Sequence, residues 1–124
     1  SIARCGRQTP SFRVLNDQPG RPTSARYLAE RSCGLMDKQA RGIFHVTDGG
    51  ECTWFEFARA IVAGSGGSAQ VEPCTSAEFP RPAKRPLYSV LDLSGTEALL
   101  GPSRSWHDNL TQVLEERARA AQPR

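Results

Sequence analysis

Two short stretches of this sequence carry residue types able to hold an anion. The first is Asn16-Asp17-Gln18-Pro19-Gly20-Arg21-Pro22-Thr23, a turn that follows a short apolar run, Phe12 to Leu15. Gly20 permits close backbone approach, Pro19 and Pro22 stiffen the loop, and Arg21 sets a cation at its centre. The second is Phe79-Pro80-Arg81-Pro82-Ala83-Lys84-Arg85-Pro86, which reads as rigid, extended and basic. A guanidinium held between Lys84 and Pro86 suits a bidentate grip on a diphosphate. If the two loops face each other they enclose a basic, partly apolar cleft. If they do not, they are connections that carry solvated arginines.

A complete catalytic set is missing. The sequence contains no G-x-G-x-x-G, P-loop, H-E-x-x-H or G-x-S-x-G pattern. It also lacks Tyr-x-x-x-Lys, since Tyr27 is followed four residues later by Arg31 and Tyr88 by Asp92. Ser105, His107 and Asp108 have the residue types of a hydrolytic triad, but they crowd into one helix start and read as capping residues. Gly49-Gly50 offers backbone amides to an anion, yet Asp48 and Glu51 flank it with negative charge, so a plain turn is expected. Cys5, Cys33, Cys52 and Cys74 lie far apart, and the only histidines are His45 and His107. That pattern predicts free thiols and no metal site.

The elements that must position these loops belong to one domain of 124 residues, 38% hydrophobic and 23% charged, with a formal charge of +3. Lys38 and Lys84 are the only lysines, so arginine carries most of the positive charge. This favours a small anionic ligand over a nucleic-acid stripe. No apolar run approaches a membrane span and no signal peptide heads the sequence, so a cytoplasmic protein is expected.

Short strands alternating with capped helices predict an α/β chain, with α+β character as a fragment. Residues 1–9 read as the last turns of a truncated helix. A helix is expected from an N-cap at Thr23, with Ala25, Leu28, Ala29, Cys33 and Met36 on its apolar face. Gly42 to Thr47 reads as a buried strand. Thr53 to Glu56 forms a capping box, and Trp54, Ala58, Ile61 and Val62 form the buried side of the helix it opens. Val71 to Cys74 is a brief extended piece, and Thr75 to Glu78 is a second capping box. Tyr88 to Asp92 is β-like, and Ser94 starts a short helix that ends at Gly101. A last helix presents Trp106, Leu110, Val113 and Leu114, with a polar tail over 115–124.

Five blocks resemble one family. They are Val14-Leu15-Asn16-Asp17-Gln18-x-Gly20-x-Pro22-Thr23 with Leu28-Ala29, then Gly42 to Thr47, Glu51 to Ala58, Pro82-Ala83-Lys84-Arg85-Pro86, and Ser89-x-Leu91-Asp92. In order and spacing they are similar to the C-terminal part of the dTDP-4-dehydrorhamnose reductases, which are extended short-chain dehydrogenase/reductases. The resemblance runs from about Ile2 to Leu114. Where this chain has Tyr27 the family usually has Asp, and where it has Arg21 the family has a small residue.

The resemblance implies a C-terminal substrate lobe whose Rossmann half is absent from this chain. That half would bind NADPH or NADH and hold the catalytic Ser/Thr-Tyr-Lys set, so no cofactor and no catalytic residue are expected here. The implied reaction reduces the 4-keto group of dTDP-6-deoxy-L-lyxo-4-hexulose to dTDP-L-rhamnose. Asp17, Gln18, Arg21, Pro22 and Thr23 would form the substrate-side loop, and Arg85 would approach the diphosphate. The expected partners are a dTDP-sugar and either the missing half or a second copy, with no nucleic acid and no membrane. The alternative is a non-catalytic regulatory or interaction module on the same fold, like the β subunit of methionine adenosyltransferase.

Overall fold

The computed structural model describes residues 11–121, so the expected helix end over 1–9 lies outside the described residues. The chain runs β1 (Ser11–Leu15), β2 (Pro19–Gly20), α1 (Ala25–Asp37), β3 (Cys52–Thr53), α2 (Trp54–Gly64) and β4 (Gln70–Cys74). A single 3-10 turn (Ser76–Glu78), α3 (Ser94–Leu100) and α4 (Trp106–Ala120) follow. Strands β1 and β4 pair in parallel, from Ser11 opposite Gln70 to Leu15 opposite Cys74. Strands β2 and β3 form a two-residue antiparallel pair, Pro19 with Thr53 and Gly20 with Cys52. Parallel neighbours need a long crossover, and α2, which packs on both strands, is part of it. The α/β reading therefore holds as a mixed fold without a closed sheet.

Helix α2 begins as its sequence dictates. The Thr53 hydroxyl accepts from the Glu56 amide at 3.2 Å, while the Glu56 carboxylate accepts from the Thr53 amide at 2.7 Å. Ala58 and Val62 are buried against the strands and Ile61 is half-buried, but Trp54 is 53% exposed. As the first residue of the helix, Trp54 projects past the end of the core.

Helix α1 departs from its periodic reading. Its N-cap is Ser24, not Thr23, and the Ser24 hydroxyl accepts from the Tyr27 amide at 3.4 Å. The buried residue is Tyr27, whereas Leu28 is 41% and Met36 75% exposed, and Cys33 is also exposed. Tyr27 wins the interior because its ring lies against the Arg31 and Arg104 guanidinium groups and its hydroxyl accepts from the Arg104 amide at 2.8 Å. An aromatic ring with a satisfied polar tip displaces a weaker aliphatic stripe.

Two expected strands are irregular and form no ladder among the described residues. Gly42 to Thr47 has no paired neighbour among the described residues, and Ile43 is 92% exposed. Tyr88 to Asp92 is held instead by scattered bonds to β2 and to Arg21. Helix α4 presents Trp106, Leu110, Val113 and Leu114 half-buried, as expected, and continues through Glu115 to Ala120 rather than ending in a polar tail. Arg117 and Arg119 in its last turn suit the negative end of the helix dipole. Cys52 and Cys74 are buried free thiols, and burial pushes the Cys52 thiol up to about 11.

Candidate functional site

The parallel pair β1–β4 ends at Leu15 and Cys74, and a cleft of about 760 Å³ opens at that end. Its floor is apolar, formed by Val14, Leu15 and Cys74 with Trp54 at the side. The opposite wall is the segment from Phe79 to Leu87, which brings Arg81, Lys84 and Arg85 to the same space. All three cations are exposed, and none takes part in an ion pair among the described residues. An apolar floor under a cationic wall, at the carboxyl end of parallel strands, can receive a ligand with an apolar body and an anionic group.

The near edge of that wall is tightly built. The Glu78 carboxylate accepts from the Thr75 amide at 2.8 Å and from the Arg13 guanidinium. Together the Thr75 amide and Arg13 hold the Glu78 carboxyl down at about 2. Arg13, on β1, also lies 5.8 Å from the centre of the Phe79 ring. Asp17 ties the end of β1 to the 3-10 turn, since one of its oxygens accepts from the Ser76 amide at 2.8 Å and from the Ser76 hydroxyl at 2.6 Å. The Ser76 hydroxyl and amide accordingly keep the Asp17 carboxyl below its ordinary value.

Of the six residues expected at the site, Gln18 and Arg85 line the cleft together. Asp17 lies behind it as the brace for Ser76. Arg21 is turned elsewhere: its Nε donates to the Gly50 carbonyl at 2.7 Å and its Nη1 to the Leu91 carbonyl. Thr23 donates to the Arg21 carbonyl at 3.3 Å, and Pro22 is half-buried between them. The converging pair of basic loops is therefore one cationic wall facing β1, while the Arg21 guanidinium serves main-chain carbonyls.

Sequence reasoning missed Arg13 and Trp54 as lining residues, and singled out Arg85 from a basic loop in which Phe79 and Arg81 line the cleft as well. Arg13 carried a readable signal, being a charged residue between Phe12 and Val14 on a strand that runs straight into the loop. Trp54 carried none, because helical periodicity places it with the buried positions.

A second groove of about 510 Å³ runs between α2 and α4 over Ala60, Ala63, Gly64, Leu110 and Leu114. It is the seam left by small residues where the helices cross. Among the described residues no cluster of three or more His, Cys, Asp or Glu could hold a metal ion, and no helix is long and apolar enough to cross a membrane.

The family model for the RmlD substrate binding domain matches residues 1–119. The spore coat polysaccharide biosynthesis protein SpsK of Bacillus subtilis is 38% identical over 109 residues, which is 88% of this chain and 38% of that protein. A dTDP-4-dehydrorhamnose reductase of Mycobacterium tuberculosis is 41% identical over 105 residues, covering 82% of this chain and 34% of its own length. Among solved structures, a dTDP-4-dehydrorhamnose reductase from Clostridium acetobutylicum superposes with a TM-score of 0.87 at 36% identity, over 94% of this chain and 42% of that one. The Bacillus anthracis reductase, solved in complex with NADP, gives a TM-score of 0.86 at 31% identity, over 93% of this chain and 41% of that one. The chain thus spans well under half the length of the relatives it matches. By fold, by sequence and by the extent of the match, it belongs to the RmlD substrate-binding domain family.

Proposed function

We propose that this chain is the nucleotide-sugar lobe of a dTDP-sugar reductase, with the cleft beneath the cationic wall taking the nucleotide diphosphate. The observation that carries this reading is the set Arg81, Lys84 and Arg85, unpaired with acidic side chains among the described residues and lining the same cleft as Val14 and Leu15. Guanidinium groups grip phosphate oxygens bidentately. The floor at Val14, Leu15 and Trp54 suits the base and the deoxysugar. Gln18 offers an amide to a sugar hydroxyl, and Asp17, Pro22 and Thr23 shape the loop that presents it. In the whole protein the reaction is reduction of the 4-keto group of dTDP-6-deoxy-L-lyxo-4-hexulose to dTDP-L-rhamnose.

The reductant, NADPH or NADH, is held by parts of the protein beyond this chain. In support, the helix starts described here carry their own carboxylates: Asp48 accepts from the Ser24 amide at the head of α1, and Glu56 from the Thr53 amide at the head of α2. A dinucleotide pyrophosphate needs such amides free and no carboxylate competing for them. The residues present do not fit that group, and the catalytic proton donor is likewise assigned outside the chain. Exposed Met36 and Ile43 favour one second reading, a non-catalytic interaction module that associates through apolar side chains left in solvent.

Calorimetry with dTDP tests the proposal. The chain should bind dTDP, and Arg85→Ala should weaken binding by about 1.5–3 kcal/mol, the range for a lost charge-assisted hydrogen bond. Unchanged affinity in the variant removes Arg85 from the site. A ligand-indifferent oligomer on size exclusion, together with no dTDP binding, supports the interaction module instead.

A further inference from the structure

The cationic wall is a long irregular segment, and its position depends on how its two ends are tied. At its start the Phe79 amide donates to the Ser76 carbonyl at 3.2 Å, beside the Glu78–Arg13 pair. The next main-chain bond to the body comes at Ser89, whose amide donates to the Pro19 carbonyl at 3.1 Å. Between them, residues 80–88 make no main-chain to main-chain hydrogen bond among those described. The far tie is reinforced by Arg21, whose fork joins the Gly50 and Leu91 carbonyls, positions 29 and 70 residues away in sequence. The loop is pressed close there, since a Cβ on Gly20 would lie 3.0 Å from the Ser89 hydroxyl oxygen.

We propose that Arg21 is a positioning residue: by clamping the Leu91 and Gly50 carbonyls it pins the exit of the cationic wall and so sets where Arg85 stands over the cleft. This rests on the reading of the cleft as a diphosphate site. It assigns Arg21 a role through the wall rather than a direct contact with ligand. A guanidinium can bridge two carbonyls through separate N–H groups in a fixed plane, which a lysine ammonium on a flexible stem cannot reproduce. A wall held at both ends loses less freedom when a ligand is bound, and pre-ordering of this kind strengthens affinity.

The test combines limited trypsin digestion and dTDP calorimetry on the full chain. Arg81 and Arg85 each precede proline, so within the wall trypsin cuts after Lys84. In Arg21→Gln, cleavage after Lys84 without ligand should quicken by roughly tenfold and the dTDP Kd should rise by roughly tenfold, with Arg21→Lys in between. A raised Kd with wild-type cleavage would mean direct ligand contact and overturns the proposal. Faster cleavage or a lower melting temperature with an unchanged Kd would mean a structural role only, and overturns it equally. Should Arg21→Gln fail to fold, Arg21→Lys, which keeps the charge, carries the same two readouts. Failure of the nucleotide reading is distinct, because the wild-type chain itself then binds no dTDP, and the positioning role falls with it.

Discussion

Two groups of cationic side chains in this molecule face opposite fates. Around Tyr27 they hold main-chain carbonyls and polar side chains, although the buried Arg31 Nε finds no partner among the described residues. Arg31 donates to the Leu100 and Gly101 carbonyls at 3.0 and 2.7 Å, closing the C-terminal end of α3. Arg104 donates from its side chain to Asn109 at 3.1 Å and to Gln112 at 3.2 Å. Both guanidinium groups flank the Tyr27 ring, at 5.7 and 5.1 Å from its centre. Buried Asp48 completes the cluster by accepting from the Ser24 amide at 3.2 Å, and burial raises its carboxyl above the usual range. On the cationic wall, Arg81, Lys84 and Arg85 stand in solvent over a cleft. The difference lies in the partners each set finds. Helix-end carbonyls and the side chains of Asn109 and Gln112 hold one group, whereas Arg81, Lys84 and Arg85 have no ion-pair partner among the described residues. Arginine content alone therefore does not mark a ligand site.

The contrast is sharpest where the cluster is tightest. A Cβ on Gly49 would sit 2.6 Å from the Ser103 carbonyl oxygen, in the turn where Gly49 and Trp106 bond across the chain. Backbone cannot step aside as a flexible side chain can. Gly49→Ala should lower unfolding free energy by about 2–3 kcal/mol in urea titration. Tyr27→Phe should cost less, about 1–2 kcal/mol, because the ring contacts persist and only the acceptor of the Arg104 amide is lost. Arg85→Ala, by contrast, should leave stability within about 0.5 kcal/mol. Equal destabilisation by the Tyr27 and Arg85 variants would erase the distinction between the two groups.

Much of this was readable in the sequence, for physical reasons that differ by element. Capping boxes are local, so Thr53 and Glu56 announced the start of α2 without any tertiary information. The proline-rich wall was equally plain, since Pro80, Pro82 and Pro86 forbid regular structure. Tyr27 was not, because its burial depends on Arg31 and on Arg104, which is distant in sequence. The engagement of Arg21 by Gly50 and Leu91 was hidden for the same reason. Gly42 to Thr47 has the composition of a buried strand, yet a strand is defined by its neighbour, and none is present among the described residues.

The smallest expected effect lies between the two groups, at Glu78. Its carboxyl is held at about 2 against an ordinary 4.5, chiefly by the Thr75 amide and then by Arg13. Because the folded value is depressed, this interaction favours the folded chain above pH of about 4.5, and the benefit is lost as pH falls toward about 2. Glu78→Gln removes that titration. The variant should be slightly less stable than wild type at pH 7, and the gap should close as the medium is acidified through this window. Urea midpoints measured at pH 7, 4.5 and 3 check it. A gap that stays constant with pH would show that the Glu78 charge does not hold the near end of the wall. The Arg13–Glu78 pair would then be a passive surface contact, as exposed ion pairs commonly are.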